Sequence, residues 1–133
     1  ALRAHAPFDE DEATHRDVAR AFVRDAETPF HRSQPDGHVT GSALLLDRDG
    51  ARMLLLWHAK LERWLQPGGH CEPGDDADPA ATALRELLEE SGVPEEIVDA
   101  DPVLFDVDVH AIPARGDAPG HLHHDLRYRF RLT

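Results

Sequence analysis

The length, charge and cysteine content of the chain exclude several classes of protein. It has 133 residues, the usual size of one domain, and 26 Asp and Glu against 14 Lys and Arg give a formal net charge of -12. We expect a single domain over residues 1–133 that binds neither nucleic acid nor an anionic membrane, because both need basic protein surface. The single Cys71 excludes an internal disulfide, and the sequence shows neither a basic leader nor an apolar run of about 18 residues. We therefore expect a soluble, cytoplasmic protein.

The first predicted element is an N-terminal helix at about residues 9–27. Its apolar side chains recur at helical spacing on one face: Val18, Ala19, Phe22, Val23 and Ala26. Thr28 and Pro29 end it, because a residue before proline disfavours the helical conformation. We expect this helix to pack against the core.

A predicted hairpin follows a polar loop at residues 33–37. Residues 38–47 have the β-branched and aliphatic character of a strand, and Asp47-Arg48-Asp49-Gly50 has turn composition. Residues 53–58 would then form the second arm. The pattern predicts a tightly joined antiparallel pair.

A loop rich in glycine and proline leads into the second predicted helix. Pro67-Gly68-Gly69 and Pro73-Gly74 allow close backbone approach and unusual dihedral angles. Asp78 is a good N-cap, Pro79 suits the first helical position, and Gly92 can close the C-terminus in a left-handed conformation. The helix has one apolar stripe, formed by Ala80, Ala83, Leu84, Leu87 and Leu88.

Two further strands are predicted at residues 103–112 and 122–132. In the first, Phe105, Val107 and Val109 should share the buried face, opposite Asp106, Asp108 and His110. In the second, one parity is apolar (Leu122, Leu126, Tyr128, Phe130, Leu132) and the other strongly polar (His121, His123, Asp125, Arg127, Arg129, Arg131). The sheet would thus have a polar face.

The second helix also presents a dense group of carboxylates. Glu86, Glu89 and Glu90 lie three and four residues apart, so they share one face of the helix. Like charges held this close repel each other unless a cation lies among them, and carboxylate oxygens suit Mg²⁺ or Mn²⁺. A solvated helix face is the alternative interpretation. Together with the loop, the cluster favours a metal site.

Residues 67–93 resemble the signature of the Nudix hydrolases, the MutT-like family. The pattern is G-x5-E-x7-R-E-U-x-E-E-x-G-U, where U is a bulky aliphatic residue, and residues 85–93 match its second half in full. Pro67-Gly68-Gly69 with Glu72-Pro73-Gly74 resembles the usual loop. Two departures concern the loop acid: Asp75 stands at the position of the first Glu, and nine residues (76–84) rather than seven separate it from Arg85.

The resemblance implies an α+β fold in which a mixed β-sheet is sandwiched between α-helices. The predicted order of strands, loop and helix fits this fold. Family members commonly continue with a further strand and a helix, so the resemblance implies that this chain is either trimmed or unusually short. Many members are homodimers, and the resemblance leaves that assembly open here.

The resemblance also assigns roles to individual residues. It implies metal ligation by Glu86, Glu89 and Glu90, with a backbone carbonyl near Gly69 as a further ligand. Arg85 would orient the glutamates, and Glu86 would alternate between ligand and base for the attacking water. A further acid from outside the motif is common, and Asp125 is the first candidate, with Asp106 and Asp108 behind it. His70 and Arg127 are candidate contacts for substrate phosphate.

Several other side chains are open to two interpretations. Trp64 and Leu65 precede the glycines and favour plain packing over a role in stacking a base. His121, His123 and Asp125 share a strand face by their period-2 spacing, which fits either a zinc or substrate site or a solvent-facing polar strand. Cys71 lacks a neighbouring His or Lys pattern that would activate a thiolate, so we expect it to be inert.

The implied activity is metal-dependent hydrolysis, with Mg²⁺ or Mn²⁺, of a diphosphate bond in a nucleoside diphosphate linked to another moiety. The partner is then a small molecule. One alternative is a non-catalytic nucleotide-binding regulatory module. The other is an enzyme like isopentenyl-diphosphate isomerase, which relies on a reactive cysteine that Cys71 does not obviously supply. The sequence does not distinguish which nucleotide or sugar is used.

Overall fold

The computed structural model describes residues 2–99 and 101–133, which form two helices and six strands. Short 3-10 turns at Pro73–Asp75 and Glu95–Ile97 flank the second helix. In chain order the main elements are α1 (Glu10–Asp25), β1 (Gly37–Leu46), β2 (Leu56–His58), β3 (Arg63–Leu65), β4 (Gly68–His70), α2 (Pro79–Ser91), β5 (Val103–Ile112) and β6 (His121–Arg131).

The main sheet has four strands in the order β4-β1-β6-β5. The two central strands, β1 and β6, run parallel over their whole length, from the pair Gly37 and Leu122 to the pair Leu46 and Arg131. The outer strands β4 and β5 are antiparallel to their neighbours. The predicted mixed sheet and the α+β class are therefore confirmed.

The N-terminal helix forms almost as predicted. Asp9 caps α1 by accepting a hydrogen bond from the backbone N–H of Glu12, so the helix is slightly shorter than expected at both ends. Ala19 is fully buried, and the ring of Phe22 stacks on His124 with a centroid separation of 4.1 Å. Val18 is the exception on the predicted apolar face, because 41% of its surface stays exposed.

The predicted hairpin between residues 38–47 and 53–58 is largely wrong. The turn is present, and the N–H of Leu54 donates to the carbonyl of Leu45, but the pairing stops after the bridge between Leu46 and Met53. Further along the same edge of β1, Gly68 and Gly69 of β4 take the available hydrogen bonds. The second arm therefore turns away and pairs with β3 as a separate two-stranded sheet.

The hairpin of β2 and β3 carries two exposed tryptophans. The rings of Trp57 and Trp64 meet edge to face at 5.5 Å, and 53% and 62% of their surfaces are exposed. The expectation that Trp64 packs in the core is therefore wrong. Leu65, at the end of β3, is partly buried.

The predicted limits of the second helix are confirmed. The side chain of Asp78 accepts a hydrogen bond from the N–H of Ala80 at 3.0 Å, and Gly92 closes α2 with φ of +73°. The apolar stripe packs on the sheet, where Ala83 and Leu87 are completely buried. Close packing depends on Gly41 in β1, because a Cβ there would lie 2.4 Å from the carbonyl oxygen of Pro79.

The last two strands have the predicted limits to within one residue. A register shift between Leu104 and Asp106 makes Phe105 a bulge residue, so half of its surface is exposed instead of facing the core. Val107 remains buried as predicted. The core lies between the sheet and the two helices, and its largest buried members are Val39, Leu45, Leu87, Leu126, Tyr128 and Phe130.

Neither α1 nor α2, the helices of the described residues, is both long and apolar enough to cross a membrane.

Candidate metal and hydrolase site

A buried ion pair between Arg85 and Asp75 anchors the site. Nε and Nη2 of Arg85 donate to the two oxygens of Asp75, each at 3.0 Å, which is the bidentate geometry of a strong charge-assisted pair. Only 5% of Asp75 is exposed. Hydrogen bonding from Arg85 holds the pKa of Asp75 below its usual value and raises that of the guanidinium. The acid of the loop thus meets the arginine of the motif.

Two consecutive left-handed residues accommodate the longer spacing between this acid and this arginine. Asp76 and Ala77 have φ of +53° and +56°. They turn the chain between the 3-10 turn that ends at Asp75 and the cap of α2 at Asp78. Asp75 also accepts hydrogen bonds from the N–H of Glu72 and the hydroxyl of Thr82, so its position is set from three directions.

Glu86 lies against the glycine pair of β4. A Cβ on Gly69 would fall 2.6 Å from Oε1 of Glu86, so glycine is needed for this close approach. The same oxygen accepts a hydrogen bond from Nη1 of Arg85 at 3.0 Å. Burial, reinforced by the neighbouring Glu90, raises the pKa of Glu86, although Arg85 opposes this shift.

The other two glutamates of the motif lie beside Glu86. Oε1 of Glu90 accepts a hydrogen bond from the N–H of Gly68 at 3.2 Å. Glu89 is more exposed, and its Oε2 lies 3.3 Å from Nη1 of Arg85. The structure thus brings together Arg85 and all three glutamates at the outer edge of β4.

The backbone of β4 presents Gly68, rather than Gly69, to this cluster. The N–H of Ala43 donates to the carbonyl of Pro67, and backbone groups alternate in direction along an antiparallel strand. Gly69, two residues on, therefore faces β1, whereas Gly68 faces outward, as its bond to Glu90 shows. Three carboxylates and an outward carbonyl form a hard oxygen set that suits Mg²⁺ or Mn²⁺.

Asp125 lies on the other face of the sheet. Residues of β1 with the parity of Gly41 face α2, and the hydroxyls of Thr40 and Ser42 point away from it. Both hydroxyls donate to Asp125 at 2.8 Å, and only 4% of that residue is exposed. The structure therefore does not bring Asp125 to the glutamates.

Arg127 is held in the same network. Its guanidinium donates to Asp125 at 3.0 Å, to Asp106 at 3.0 Å and to Asp108 at 3.2 Å. Asp106 and Asp108, the candidates behind Asp125 for an extra metal ligand, are thus partners of Arg127. None of these four residues contacts the glutamate cluster among the interactions of the described residues. Asp125 and Arg127 on the polar face of β6 thus belong to a network of ion pairs, whereas Arg131 at the end of the strand is exposed.

His70 has its backbone and its ring on different sides of the sheet. Its carbonyl accepts a hydrogen bond from Nη2 of Arg85 at 2.9 Å, which helps to fix the arginine. Its ring lies 4.8 Å from the ring of His38, on the face away from α2. The sequence interpretation missed His38, although it shares the parity of Thr40 and Ser42 along β1.

His38, His121 and His123 form a second cluster on this face. One nitrogen of each ring lies within 4.8 Å of the corresponding nitrogens of the other two. Burial, with the neighbouring histidines, lowers the pKa of His38 to about 4 and that of His123 to about 3. Asp125, the predicted third member, bonds to Thr40, Ser42 and Arg127 instead.

Cys71 follows β4 and is buried. Burial raises the pKa of its thiol, which keeps it protonated at neutral pH. This environment agrees with the expected inert thiol.

Two comparisons with solved structures describe what the fold resembles. One is a crystal structure of C. elegans Ap4A hydrolase, at 19% identity and a TM-score of 0.48, covering 70% of this chain and 67% of that chain. The other is a C. elegans Ap4A hydrolase binary complex, at 17% identity and a TM-score of 0.43, covering 70% and 66%. This chain thus spans about two thirds of each. No curated protein matches it.

A family model for the NUDIX domain matches residues 37–130. The match runs from the first residue of β1 almost to the end of β6 and includes the glycine pair, Asp75, Arg85 and the three glutamates. It covers well over half of the chain. The chain therefore belongs to the NUDIX family, and the fold and the class of enzyme, a Nudix pyrophosphohydrolase, are confirmed.

Proposed function

We propose that the chain hydrolyses a diphosphate bond in a nucleoside diphosphate linked to another moiety, with Mg²⁺ or Mn²⁺ as its cofactor. The observation that carries this proposal is the cluster of Glu86, Glu89 and Glu90 against the glycines of β4. Three like charges this close, one of them on the partly buried Glu86, repel each other unless a cation lies among them. One arginine shared among several carboxylates does not neutralise them.

The ligands in this proposal are the carboxylates of Glu86, Glu89 and Glu90 and a backbone carbonyl of the glycine pair. We place that carbonyl at Gly68, because Gly69 faces β1. Asp125 is left out of the set because its oxygens are occupied on the other face. When bound, the metal would neutralise phosphate oxygens and lower the pKa of the attacking water.

The side chains around the cluster hold the glutamates in place. Arg85 is fixed by Asp75 and by the carbonyl of His70, and its Nη1 is directed at Glu86 and Glu89. This arrangement limits the movement of the Glu86 and Glu89 carboxylates, which must keep a fixed position relative to the substrate. Glu86, pressed against Gly69, is the proposed acceptor of the proton from water.

Replacing Glu89 tests the role of the cluster. We expect Glu89→Gln to lower kcat at least about 100-fold, because metal stabilisation of the transition state is worth several kcal/mol and about 1.4 kcal/mol is tenfold in rate. The measurement is product release from nucleotide substrates in Mg²⁺, with the products identified by mass spectrometry. The substrate panel contains dinucleoside polyphosphates, nucleotide sugars and nucleoside triphosphates.

Glu96→Gln is the matched control for this test. Glu96 is an exposed acid in the 3-10 turn beyond α2, so its loss should leave kcat unchanged. Equal thermal stability of the two variants would show that the fold survives. Turnover by Glu89→Gln at the parental rate would contradict the assignment of roles.

The two alternatives differ from the hydrolase in their products. A regulatory module would bind nucleotide in a calorimeter and release no product, but it has no need of all three acids. An isomerase needs a reactive cysteine, whereas Cys71 is buried and its thiol has a raised pKa. Neither alternative is favoured by a specific contact in the site.

A further inference from the structure

Three histidines meet at the start of the two central strands. His38 lies in β1 and His123 is its register partner in β6, while His121 precedes it by two residues on the same face. All three side chains lie on the face of the sheet away from α2, where the ring of His70 borders them. This histidine cluster (His38, His121, His123) takes no part in the proposed hydrolysis.

The ring of His38 is buried without a hydrogen-bond partner. Only 3% of the residue is exposed, and among the described residues neither Nδ1 nor Nε2 finds a partner. A buried polar group left unsatisfied is costly, and among the described residues the ring of His124 is in the same state. The ring of His38 differs because nitrogens of two further histidines lie within 4.8 Å of it. Its ring lies 4.7 Å from that of His123 and 5.1 Å from that of His121, which places the candidate ligands beside it.

One nitrogen of His121 and one of His123 already have the separation expected of two ligands on the same metal ion. Nε2 of His121 and Nε2 of His123 are 3.3 Å apart. Two nitrogens bound to zinc at about 2.0–2.1 Å in tetrahedral geometry are separated by about 3.3–3.4 Å. Unlike a simple hydrogen bond between the two rings, a shared ion would also bring in the unpartnered ring of His38.

A backbone contact orients the ring of His121. Its Nδ1 lies 3.1 Å from the carbonyl oxygen of Pro119, to which it donates as the N–H tautomer. The proton is then on Nδ1, and Nε2 keeps a free lone pair directed at His123. Hydrogen bonds of this type, from the second ring nitrogen to a carbonyl, are typical of histidines that bind metals.

We propose that His38, His121 and His123 form a second metal site, selective for a divalent transition-metal ion such as Zn²⁺ in tetrahedral coordination. Imidazole nitrogen suits zinc, whereas the oxygen set of the glutamates suits Mg²⁺ or Mn²⁺. A fourth position remains for water, with His70 beside it. The ion would link the first residues of β1 to the first residues of β6.

The two sites lie on opposite faces of the sheet and can be tested separately. Gly69 of β4 faces Glu86 on the side of α2, and the next residue, His70, directs its ring to the histidine cluster. The proposal therefore does not depend on the hydrolase assignment. A zinc site here would survive the loss of Glu89.

Cobalt and zinc titrations of the full chain, freed of metal by a chelator, test the proposal. Co²⁺ should give the visible ligand-field bands of a tetrahedral site at one ion per chain, and Zn²⁺ should displace it. His121→Gln and His123→Gln should each weaken Zn²⁺ binding, measured by competition with a chelating dye. We expect a loss larger than the about 10- to 100-fold caused by removing an outer-shell partner of a metal ligand.

Two control variants make the outcome specific. His58→Gln removes an exposed histidine of β2 outside the cluster, and Glu89→Gln removes an acid of the other site, so both should bind Zn²⁺ like the parent chain. Absence of tetrahedral bands would overturn the proposal. So would Zn²⁺ binding that His121→Gln leaves unchanged or that Glu89→Gln abolishes. None of these three results bears on turnover with Mg²⁺.

Discussion

Asp75 is the residue on which the position of α2 relative to the preceding loop depends. It joins the loop to α2 through Arg85 and Thr82, and it is almost fully buried. The position of Arg85 in turn determines where Glu86 and Glu89 lie. One carboxylate in the loop thus supports two carboxylates of the site.

Replacing this carboxylate by an amide should destabilise the protein in a pH-dependent way. We expect Asp75→Asn to lower the free energy of unfolding at pH 7 by about 2 kcal/mol, below the range for a fully buried pair because Arg85 is partly exposed. The folded state depresses the pKa of Asp75 below 3.8, so the ion pair stabilises fully above pH 3.8 and less as the pH falls through the lower value. Urea unfolding of both proteins at a series of pH values measures the difference.

The neighbouring Asp76 supplies the control for this change. Asp76→Asn removes an exposed acid, and asparagine tolerates the left-handed conformation found there. Its stability should follow that of the parent chain at each pH. A gap between parent and Asp75→Asn that widened with acidification would contradict the role of the ion pair.

At the scale of elements, the site depends on how closely α2 approaches the sheet. Gly41 of β1 lets the backbone of α2 pack directly on the strand, since a Cβ would lie 2.4 Å from the carbonyl oxygen of Pro79 and 3.0 Å from the nitrogen of Ala83. Both contacts are to backbone atoms, which cannot rotate away. The helix would have to shift, and its glutamates with it.

We therefore expect Gly41→Ala to lower the free energy of unfolding by about 2–3 kcal/mol, as overpacking of a close contact does. Chemical denaturation measures the loss. Gly74→Ala is the matched control, because a Cβ there meets nothing within 4 Å and should change stability by less than about 0.5 kcal/mol. Equal stability of the two variants would show that α2 moves away at no cost.

At the scale of the whole molecule, the formal net charge of -12 opposes the compact state. Several arginines are paired with acids, among them Arg85 and Arg127, but the excess of acids remains. Mutual repulsion of surface acids is screened by salt, whereas buried pairs such as Arg85 with Asp75 are screened much less.

Monovalent salt should therefore raise the Tm of the chain. Raising the ionic strength from about 0.01 M to about 0.15 M shortens the Debye length from about 30 Å to about 8 Å, which screens the repulsion. Scanning calorimetry in NaCl, repeated in KCl, measures the effect. The same rise is expected in both salts, and a fall in Tm would mean that attractive surface pairs outweigh the repulsion.

The amino-acid sequence alone determined the features that depend on near neighbours. Asp78, Pro79 and Gly92 mark the limits of α2 because caps act within one turn of a helix. The spacing of Glu86, Glu89 and Glu90 likewise places them on one face whatever surrounds the helix. These local rules were sufficient to predict the helix and its acidic face, and the family followed from the resemblance of residues 67–93 to the Nudix signature.

The tertiary structure alone decided which distant segments meet. Competition between Met53 and the glycines of β4 for one edge of β1 ended the hairpin, and the parallel pairing of β1 with β6 brought His38 to His121 and His123. The tertiary structure likewise decided on which face of the sheet Asp125 lies and that Asp75 pairs with Arg85. Such contacts depend on the relative free energies of alternative pairings across the whole chain, which no local pattern of residues contains.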